Sequence, residues 1–370
     1  MRKLSFSGET FPAEPMACGR RDVLAPLGGA LLAGAMMAAP ALAAGHTVSA
    51  GVVVYDSASF GSDDILIDGA TATLQIDSGG LTLTNAISLD HDGTLDNAGS
   101  ISRSGPGVSG TTGTVDNHDG GTIESLDDYG VYFELGGTVT NGAGSSISGT
   151  TGIYSDYPNG SGPTSVTNAG SITATGTTDP SAGVDLENGG TVLNQDGGTI
   201  RGGFYGVLAW EGVDVTNIGA GSVINGNNQG VSLLDGGSID NLDGASITGD
   251  QVGVGTFYES ADITNSGGAT ITGTNNDGIY FAAGGTLLNT GAGSLIKGGW
   301  NGVRLEGGGT VTNEDGAEIQ GGHGTSAAAI YLPDGGTVSN GPGSRIVGDS
   351  SAGTYGIYMS NDGTISNAGT

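Results

Sequence analysis

The sequence predicts an all-β protein, a right-handed, three-faced parallel β-helix (a solenoid) with coils of about 24 residues. An apolar-x-Asn pattern recurs twelve times, with the Asn residues 20 to 27 positions apart. The composition agrees, because 76 Gly residues together with abundant Thr, Ser, Val and Ile disfavour helices and suit short strands joined by tight turns. The right hand follows from the usual crossover preference of parallel strands.

The first segment of each coil reads as a strand. In the repeat containing Val139 and Asn141, these two residues share the inward face and Thr140 points outward. The middle residue is polar in ten of the twelve repeats, which is the period-two pattern of a strand with a solvated outer face. The Asn residues are predicted to form a ladder in which each amide bonds to the amide of the next coil; the alternative is a plain turn role. They are Asn97, Asn117, Asn141, Asn168, Asn194, Asn217, Asn241, Asn265, Asn289, Asn313, Asn340 and Asn367.

Two further short segments complete each coil. One is Ile-x-Gly, as at Ile271–Gly273, and the other is Gly-Val/Ile-x-apolar, as at Gly278–Phe281. Three strands in about 24 residues are too few for a separate domain, but stacked coils can pair like strand with like strand around a core of Val, Ile and Leu. The regular repeats occupy residues 91–370 and end within a coil. Residues 44–90 are less regular and are predicted to form an N-terminal cap and the first coils.

The N-terminal residues 1–43 predict an export signal. Arg20 and Arg21 precede an apolar, Ala-rich run at residues 23–39, and Ala41 with Ala43 fits a small-residue cleavage site, so cleavage is expected after Ala43. The ordinary secretory route and the twin-arginine route both remain open, and a buried core helix is the alternative. The single cysteine, Cys18, would leave with the signal, so the exported chain would contain no disulfide.

The charge excludes some partners. The formal net charge of -29 comes from 38 acidic and 9 basic residues, so the chain lacks the basic footprint of a nucleic-acid binder. An anionic membrane surface is disfavoured for the same reason. The acidic residues would permit calcium but do not require it, so no cofactor is predicted.

The export signal followed by Gly-Gly-Thr-Val-x-Asn, Ile-x-Gly and Gly-Val-x-Leu coils resembles the passenger domains of bacterial autotransporters, over about residues 45–370. The resemblance implies export through the periplasm to the cell surface or the medium, with an outer-membrane translocator barrel as partner. Such a barrel is not encoded in this sequence. We therefore expect a fragment, a truncated gene or export by a separate protein.

No convergent catalytic or metal-binding group emerges from the sequence. The most regular acidic residues, Asp119, Asp196, Asp243 and Asp315, lie in Asn-x-Asp-Gly segments and are interpreted as turn residues. The four His residues occupy unequal phases of the repeat and show no metal-ligand spacing. The chain is therefore predicted not to be an enzyme, with catalytic, cofactor and metal sites all absent.

Tyrosines recur in the outward position of the third segment. They are Tyr132, Tyr154, Tyr280, Tyr331 and Tyr358. Tyr132 with Tyr154, and Tyr331 with Tyr358, fall in successive coils, so each pair is expected to stack at the strand spacing of about 4.8 Å. Such pairs could bind sugar rings or a host surface protein, or could only stabilise the stack.

The leading functional hypothesis is a non-enzymatic, secreted or cell-surface β-helix that acts as an adhesin or a surface spacer. The first alternative is a carbohydrate-active β-helix enzyme, a polysaccharide lyase or hydrolase, which would need two or three carboxylates on one sheet in successive coils. The second alternative is a truncated passenger fragment without activity.

Overall fold

A computed structural model describes residues 45–55, 63–78, 82–156, 162–324, 326–350 and 353–370. The predicted signal, residues 1–43 with its cleavage position Ala43, lies outside the described residues. Within the described residues the chain is all-β, without a helix, and forms three parallel sheets stacked as a solenoid with coils of about 24 residues. The predicted architecture is confirmed, whereas its right hand stays a prediction.

The chain visits three sheets in turn, named here A, B and C. Sheet A contains His46–Val48, Ile65–Asp68, Ile87–Asp90, Val108–Gly110, Val131–Phe133, Ile153–Ser155, Ala182–Leu186, Tyr205–Ala209, Gln229–Leu233, Val252–Thr256, Ile279–Phe281, Val303–Leu305, Ala328–Leu332 and Tyr355–Met359. Sheet B contains Gly51–Val54, Ala72–Ile76, Gly93–Asn97, Gly113–Asn117, Thr138–Asn141, Thr164–Asn168, Gly190–Asn194, Val213–Ile218, Gly237–Leu242, Ala261–Ser266, Gly285–Thr290, Gly309–Glu314, Gly336–Asn340 and Gly363–Asn367. Sheet C contains Thr82–Leu83, Ser100–Arg103, Thr122–Ser125, Ser146–Gly149, Ser171–Ala174, Thr199–Gly202, Val223–Gly226, Ser246–Gly249, Thr270–Gly273, Leu295–Gly298, Glu318–Gln320 and Arg345–Val347.

Like residues lie over like residues in all three sheets. In sheet C, Ile247 is the register partner of Ile271. Ten isoleucines fill one inward column of this sheet, and each is completely buried: Ile101, Ile123, Ile147, Ile172, Ile200, Ile224, Ile247, Ile271, Ile296 and Ile319. Val, Ile and Leu fill the matching columns of sheets A and B, so one continuous hydrophobic core runs through the coils. At about 25 cal/mol per Å² of apolar surface removed from water, these columns are the main stabilising contribution.

The tight turns follow the chemistry expected from the sequence. Asp119, Asp196, Asp243 and Asp315 have φ angles of 51°, 53°, 53° and 56°, in the left-handed region that short polar side chains tolerate. The interpretation of these four residues as turn residues is therefore confirmed.

The strands of residues 44–90 join the same three sheets as the regular repeats. His46–Val48 and Ile65–Asp68 pair with each other in sheet A, and Gly51–Val54 pairs with Ala72–Ile76 in sheet B. The assignment of this segment as a cap with the first coils stays a prediction. No helix that could span a membrane occurs among the described residues.

Candidate functional site

The twelve asparagines of the Val-x-Asn segments form one column inside sheet B. Each amide nitrogen Nδ2 donates to the Oδ1 of the Asn in the next coil, over eleven links of 2.7 to 2.9 Å from Asn97 to Asn367. Several also donate to a backbone carbonyl of the next coil, as Asn241 does to Thr270 at 2.9 Å. None of the twelve has a positive φ. Eleven of the twelve are buried, and only Asn367, at the end of the column, is exposed. Because the buried amides are bonded to one another, the column supports the fold and offers no free group for a ligand along its buried length.

The outer surface of sheet A differs from those of sheets B and C. Eight of the chain's eleven tyrosines lie on it, with Trp210 and Phe257: Tyr129, Tyr132, Tyr154, Tyr205, Tyr280, Tyr331, Tyr355 and Tyr358. We call this surface the aromatic face. In the described part of the chain, the outward strand positions of sheets B and C are mainly Ser, Thr, Asp and Asn and include no aromatic residue. At the outward positions of the described strands, aromatic side chains are thus restricted to sheet A.

One predicted tyrosine pair stacks as expected. The rings of Tyr331 and Tyr358 are nearly parallel, at 6°, with centroids 5.0 Å apart. Tyr355 joins them, its ring tilted by 56° and 5.4 Å from that of Tyr358. The sequence pattern did not identify Tyr355, because it lies two residues before the inward Ile357 rather than directly after it.

The other predicted pair contains a third ring. The centroids of Tyr132 and Tyr154 are 5.8 Å apart, farther than the strand spacing, because Tyr129 packs against both at 5.7 Å and 4.7 Å. We call these three residues the tyrosine cluster. The hydroxyls of Tyr132 and Tyr154 point to Asp156, at 3.5 Å and 3.3 Å. Burial, reinforced by Asp156, raises the pKa of Tyr132 to about 12, so the cluster is uncharged at neutral pH.

A buried carboxylate lies beside the tyrosine cluster. Asp185 is the register partner of Tyr154 in the next coil and is only 3 % exposed. Its Oδ1 has no hydrogen-bond partner. Burial raises the pKa of this carboxyl well above its usual range, and the nearby Glu187, Asp179 and Asp156 raise it further. Acidic residues on successive coils are therefore concentrated here, a juxtaposition that the sequence analysis missed.

The fifth predicted tyrosine, Tyr280, belongs to a cluster built around Arg304, its register partner in the next coil. The guanidinium carbon of Arg304 lies 5.2 Å from the ring centroid of Tyr280 and 5.9 Å from that of Tyr331. Its Nη2 bonds Glu306 and its Nη1 lies 3.9 Å from Asp277. We call Asp277, Tyr280, Arg304, Glu306 and Tyr331 the arginine cluster.

Two hydrogen bonds fix the acids of the arginine cluster. The Tyr280 hydroxyl donates to Glu306 at 2.9 Å, and the Asn301 amide donates to Asp277 at 2.8 Å. Burial raises the pKa of Asp277 to about 6, although the bond from Asn301 and the charge of Arg304 act in the opposite direction. Both acids thus hold Arg304, Asp277 from a buried position and Glu306 from a partly exposed one.

Between the two clusters the aromatic face carries a second, smaller hydrophobic core. Tyr205, Leu208 and Leu234 are almost completely buried there, and Phe204, Trp210 and Phe257 partly cover them. The indole Nε1 of Trp210 is buried without a hydrogen-bond partner. Because this core lies outside the solenoid wall, it extends the aromatic face without a break from one cluster towards the other.

An acidic group with a histidine occurs at another place. The ligand atoms of Asp68, Asp90 and His91 lie within 4.8 Å of one another, and His91 Nδ1 is 2.8 Å from Asp68. The bond with Asp68, and then the charge of Asp90, raises the pKa of His91. The spacing gave no metal signal because these residues come from two coils, and the observed ion pair accounts for the arrangement without a metal.

A shallow depression lies at the turns that lead from sheet A to sheet B. It has a volume of about 320 Å³ and lies beside Gly113, Gly137 and Pro163. Its open, mostly backbone-lined form offers no convergent titratable groups. In comparisons with known proteins, no family model, no curated protein and no solved structure matched this chain.

Proposed function

We propose that this protein is an exported, non-enzymatic β-solenoid of the autotransporter-passenger type that acts as an adhesin through its aromatic face. The observation that carries the proposal is that, among the described strands, outward aromatic residues occur only in sheet A. Val, Ile, Leu, Ala, two Phe and the Asn column already fill the interior, so the tyrosines are not needed there. Partly exposed tyrosines offer both an apolar ring and a hydroxyl, which suits contact with a glycan or a protein surface.

The net charge limits the classes of ligand that the protein can bind. At a net charge of -29 the protein repels nucleic acids and acidic polysaccharides. A neutral glycan or a host surface protein with basic groups is the compatible class. The repetitive wall suits this role because each coil adds one strand to a continuous, rigid surface.

The test removes the stacked pair at one end of the face. Replacing Tyr331 and Tyr358 with Ser should weaken binding to arrayed glycans or matrix proteins at least about tenfold, because each ring contributes contact area and stacking. Thr264→Ala and Thr312→Ala together, on the outer surface of sheet B, form the matched control. Unchanged binding of the tyrosine variant with a lower melting temperature would assign the pair to stability alone, and the absence of binding by the unmodified protein would reject the adhesin role.

A carbohydrate-active enzyme is the second candidate, because Asp156 comes from one coil and Asp185 and Glu187 come from the next, all in or directly after strands of sheet A. Against it, Asp185 is almost fully covered and cannot contact a substrate in this arrangement. Incubation with a polysaccharide panel, followed by assays for unsaturated and reducing ends, should give no product. A product whose formation is lost in Glu187→Gln would favour the enzyme.

Export is tested separately from binding. In a host with both secretory routes, the mature protein should begin at Ala44, which intact-mass measurement determines. A Lys pair in place of Arg20 and Arg21 should block processing only if the twin-arginine route is used. Retention of residues 1–43 would reject the signal.

A further inference from the structure

The arginine cluster shows what this face does with a guanidinium group. Arg304 lies between two tyrosine rings, with Asp277 on one side and Glu306 on the other. A planar guanidinium suits this setting because it stacks on aromatic rings and bonds carboxylates at its edge. The chain thus contains its own example of a cation held by tyrosines and acids on the outer surface of sheet A.

The tyrosine cluster has the same kinds of residue without the cation. Tyr129, Tyr132 and Tyr154 supply the rings, and Asp156 and Asp185 supply the carboxylates. The charges that act on Asp185 are all acidic, those of Glu187, Asp179 and Asp156. Its unpaired oxygen is the expected state of a carboxylate whose cationic partner is missing, since buried carboxylates are ordinarily paired or hydrogen-bonded.

We propose that the tyrosine cluster, with Asp156, Asp185 and Glu187, binds a guanidinium group supplied by another molecule. The proposal rests on the proposed function, for which it defines one ligand chemistry: an arginine side chain of the partner surface. Asp156 and Glu187 are partly exposed and would bond the guanidinium, and its positive charge would offset that of the covered Asp185 and relieve the repulsion among the three acids. The high net negative charge would speed the encounter with a basic partner.

The geometry favours a guanidinium over a calcium ion. Calcium needs six to eight oxygens converging at about 2.3–2.6 Å. In the described part of the chain, the one set of three acidic or histidine groups with ligand atoms within 4.8 Å of one another is Asp68, Asp90 and His91, not the acids at the tyrosine cluster. Separated acids beside stacked rings match instead the spread of a guanidinium group, as they do around Arg304.

The experiment measures binding of two peptides by calorimetry at low and moderate salt. One peptide contains a central Arg, and the other contains citrulline, which has nearly the same shape without the charge. The Arg peptide should bind at least about tenfold more tightly. Free arginine amide is a third probe, since binding as tight as that of the peptide would indicate a small-molecule site rather than a partner side chain.

Two variants and one control locate the site. Asp185→Asn and Tyr154→Leu should each weaken binding of the Arg peptide about tenfold. Asp262→Asn, which removes one exposed acid from sheet B, should change this affinity less than twofold. Asp185→Asn removes a buried charge, so it should fold; circular dichroism and the melting temperature check this for both variants.

Equal losses in Asp185→Asn and Asp262→Asn would overturn the proposal, because they would show general attraction to an acidic protein. Calcium-induced stabilisation that is lost in Asp185→Asn would overturn it in favour of a metal site. If the Arg peptide fails to bind while adhesion through Tyr331 and Tyr358 persists, the guanidinium site is wrong and the proposed function stands. Loss of both peptide binding and adhesion would reject the guanidinium site and the proposed function together.

Discussion

The Asn ladder can be broken at its centre, and the structure sets the size of the effect. Asn241 donates to Asn265 at 2.8 Å and to the carbonyl of Thr270 at 2.9 Å, and it accepts from Asn217 at 2.9 Å. It is completely buried. Asn241→Ala removes these three bonds, each with a net value of about 1 kcal/mol, and leaves the Asn265 acceptor without its ladder donor at a further cost of about 1–3 kcal/mol. The expected loss is about 4–6 kcal/mol.

A second substitution at the same position separates hydrogen bonding from packing. Asn241→Asp keeps the shape but replaces the Nδ2 donor with an acceptor, which then faces the acceptors of Asn265 and Thr270. Because a buried carboxylate without donors is costly, we expect it to destabilise the protein at least as much as Asn241→Ala does at neutral pH. Asn367→Asp should have a small effect, since Asn367 is exposed and its side chain acts only as an acceptor, from Asn340 and from the N–H of Gly369.

The assay is guanidinium chloride unfolding combined with hydrogen exchange, because stacked coils need not unfold as one unit and exchange reports the loss coil by coil. Thr264→Ala, at an outward position of the neighbouring strand, is the control and should cost less than about 0.5 kcal/mol. If Asn241→Ala costs no more than Thr264→Ala, or if Asn241→Asp is tolerated, the ladder does not stabilise this fold.

Three further predictions concern other parts of the wall. Gly202→Ala should lower the melting temperature strongly because its new Cβ would overlap the carbonyl oxygen of Tyr205, whereas the Cβ of Gly356→Ala would make only an ordinary contact with the carbonyl oxygen of Ile346, at 3.8 Å. Equal shifts would refute the steric argument. For Asp277, the folded pKa of about 6 lies above the usual 3.8, so the folded state binds the proton more tightly and stability should fall by about 2 kcal/mol as pH rises from 4 to 6. Asp277→Asn should abolish this part of the slope in urea titrations, and an unchanged slope would contradict the assignment. Arg304→Met should destabilise the protein by about 3–5 kcal/mol at pH 7, because it leaves Asp277 as an uncompensated buried acid. In a double-mutant cycle, Asp277→Asn should relieve most of that loss. Additive losses would show that the two residues are not coupled.

The sequence predicted the coils because the interior of a solenoid repeats its chemistry. Asn241 lies over Asn217 and Ile271 over Ile247, so the spacing of identical residues directly reports the strand register. The lengths of the intervening turns vary, yet the register is conserved because the apolar columns and the amide bonds fix each strand. Fold and register were therefore readable without any knowledge of the turns.

The chemistry of the outer surface was only partly readable. The outward position of the Gly-Val/Ile-x segment identified Tyr132 and Tyr154, but Tyr129 packs between them from a position upstream of the strand. The burial of Asp185 depends on neighbours from adjacent coils, and nothing in its own segment indicates it. Outer contacts between coils combine residues more than 20 positions apart at unequal offsets, so a repeat pattern cannot supply them.

Each of the two clusters on the aromatic face contains a buried acid, which opposes the stability that the interior columns provide. A buried carboxylate such as Asp277 costs free energy unless a cation compensates it, and Arg304 does so within the chain. Asp185 is equally buried, and only acids act on its charge. Since the interior columns stabilise the coil without either acid, the fold alone does not explain Asp185. A positively charged group supplied by another molecule does explain it. Asp185 would then destabilise the free protein and strengthen binding in the complex.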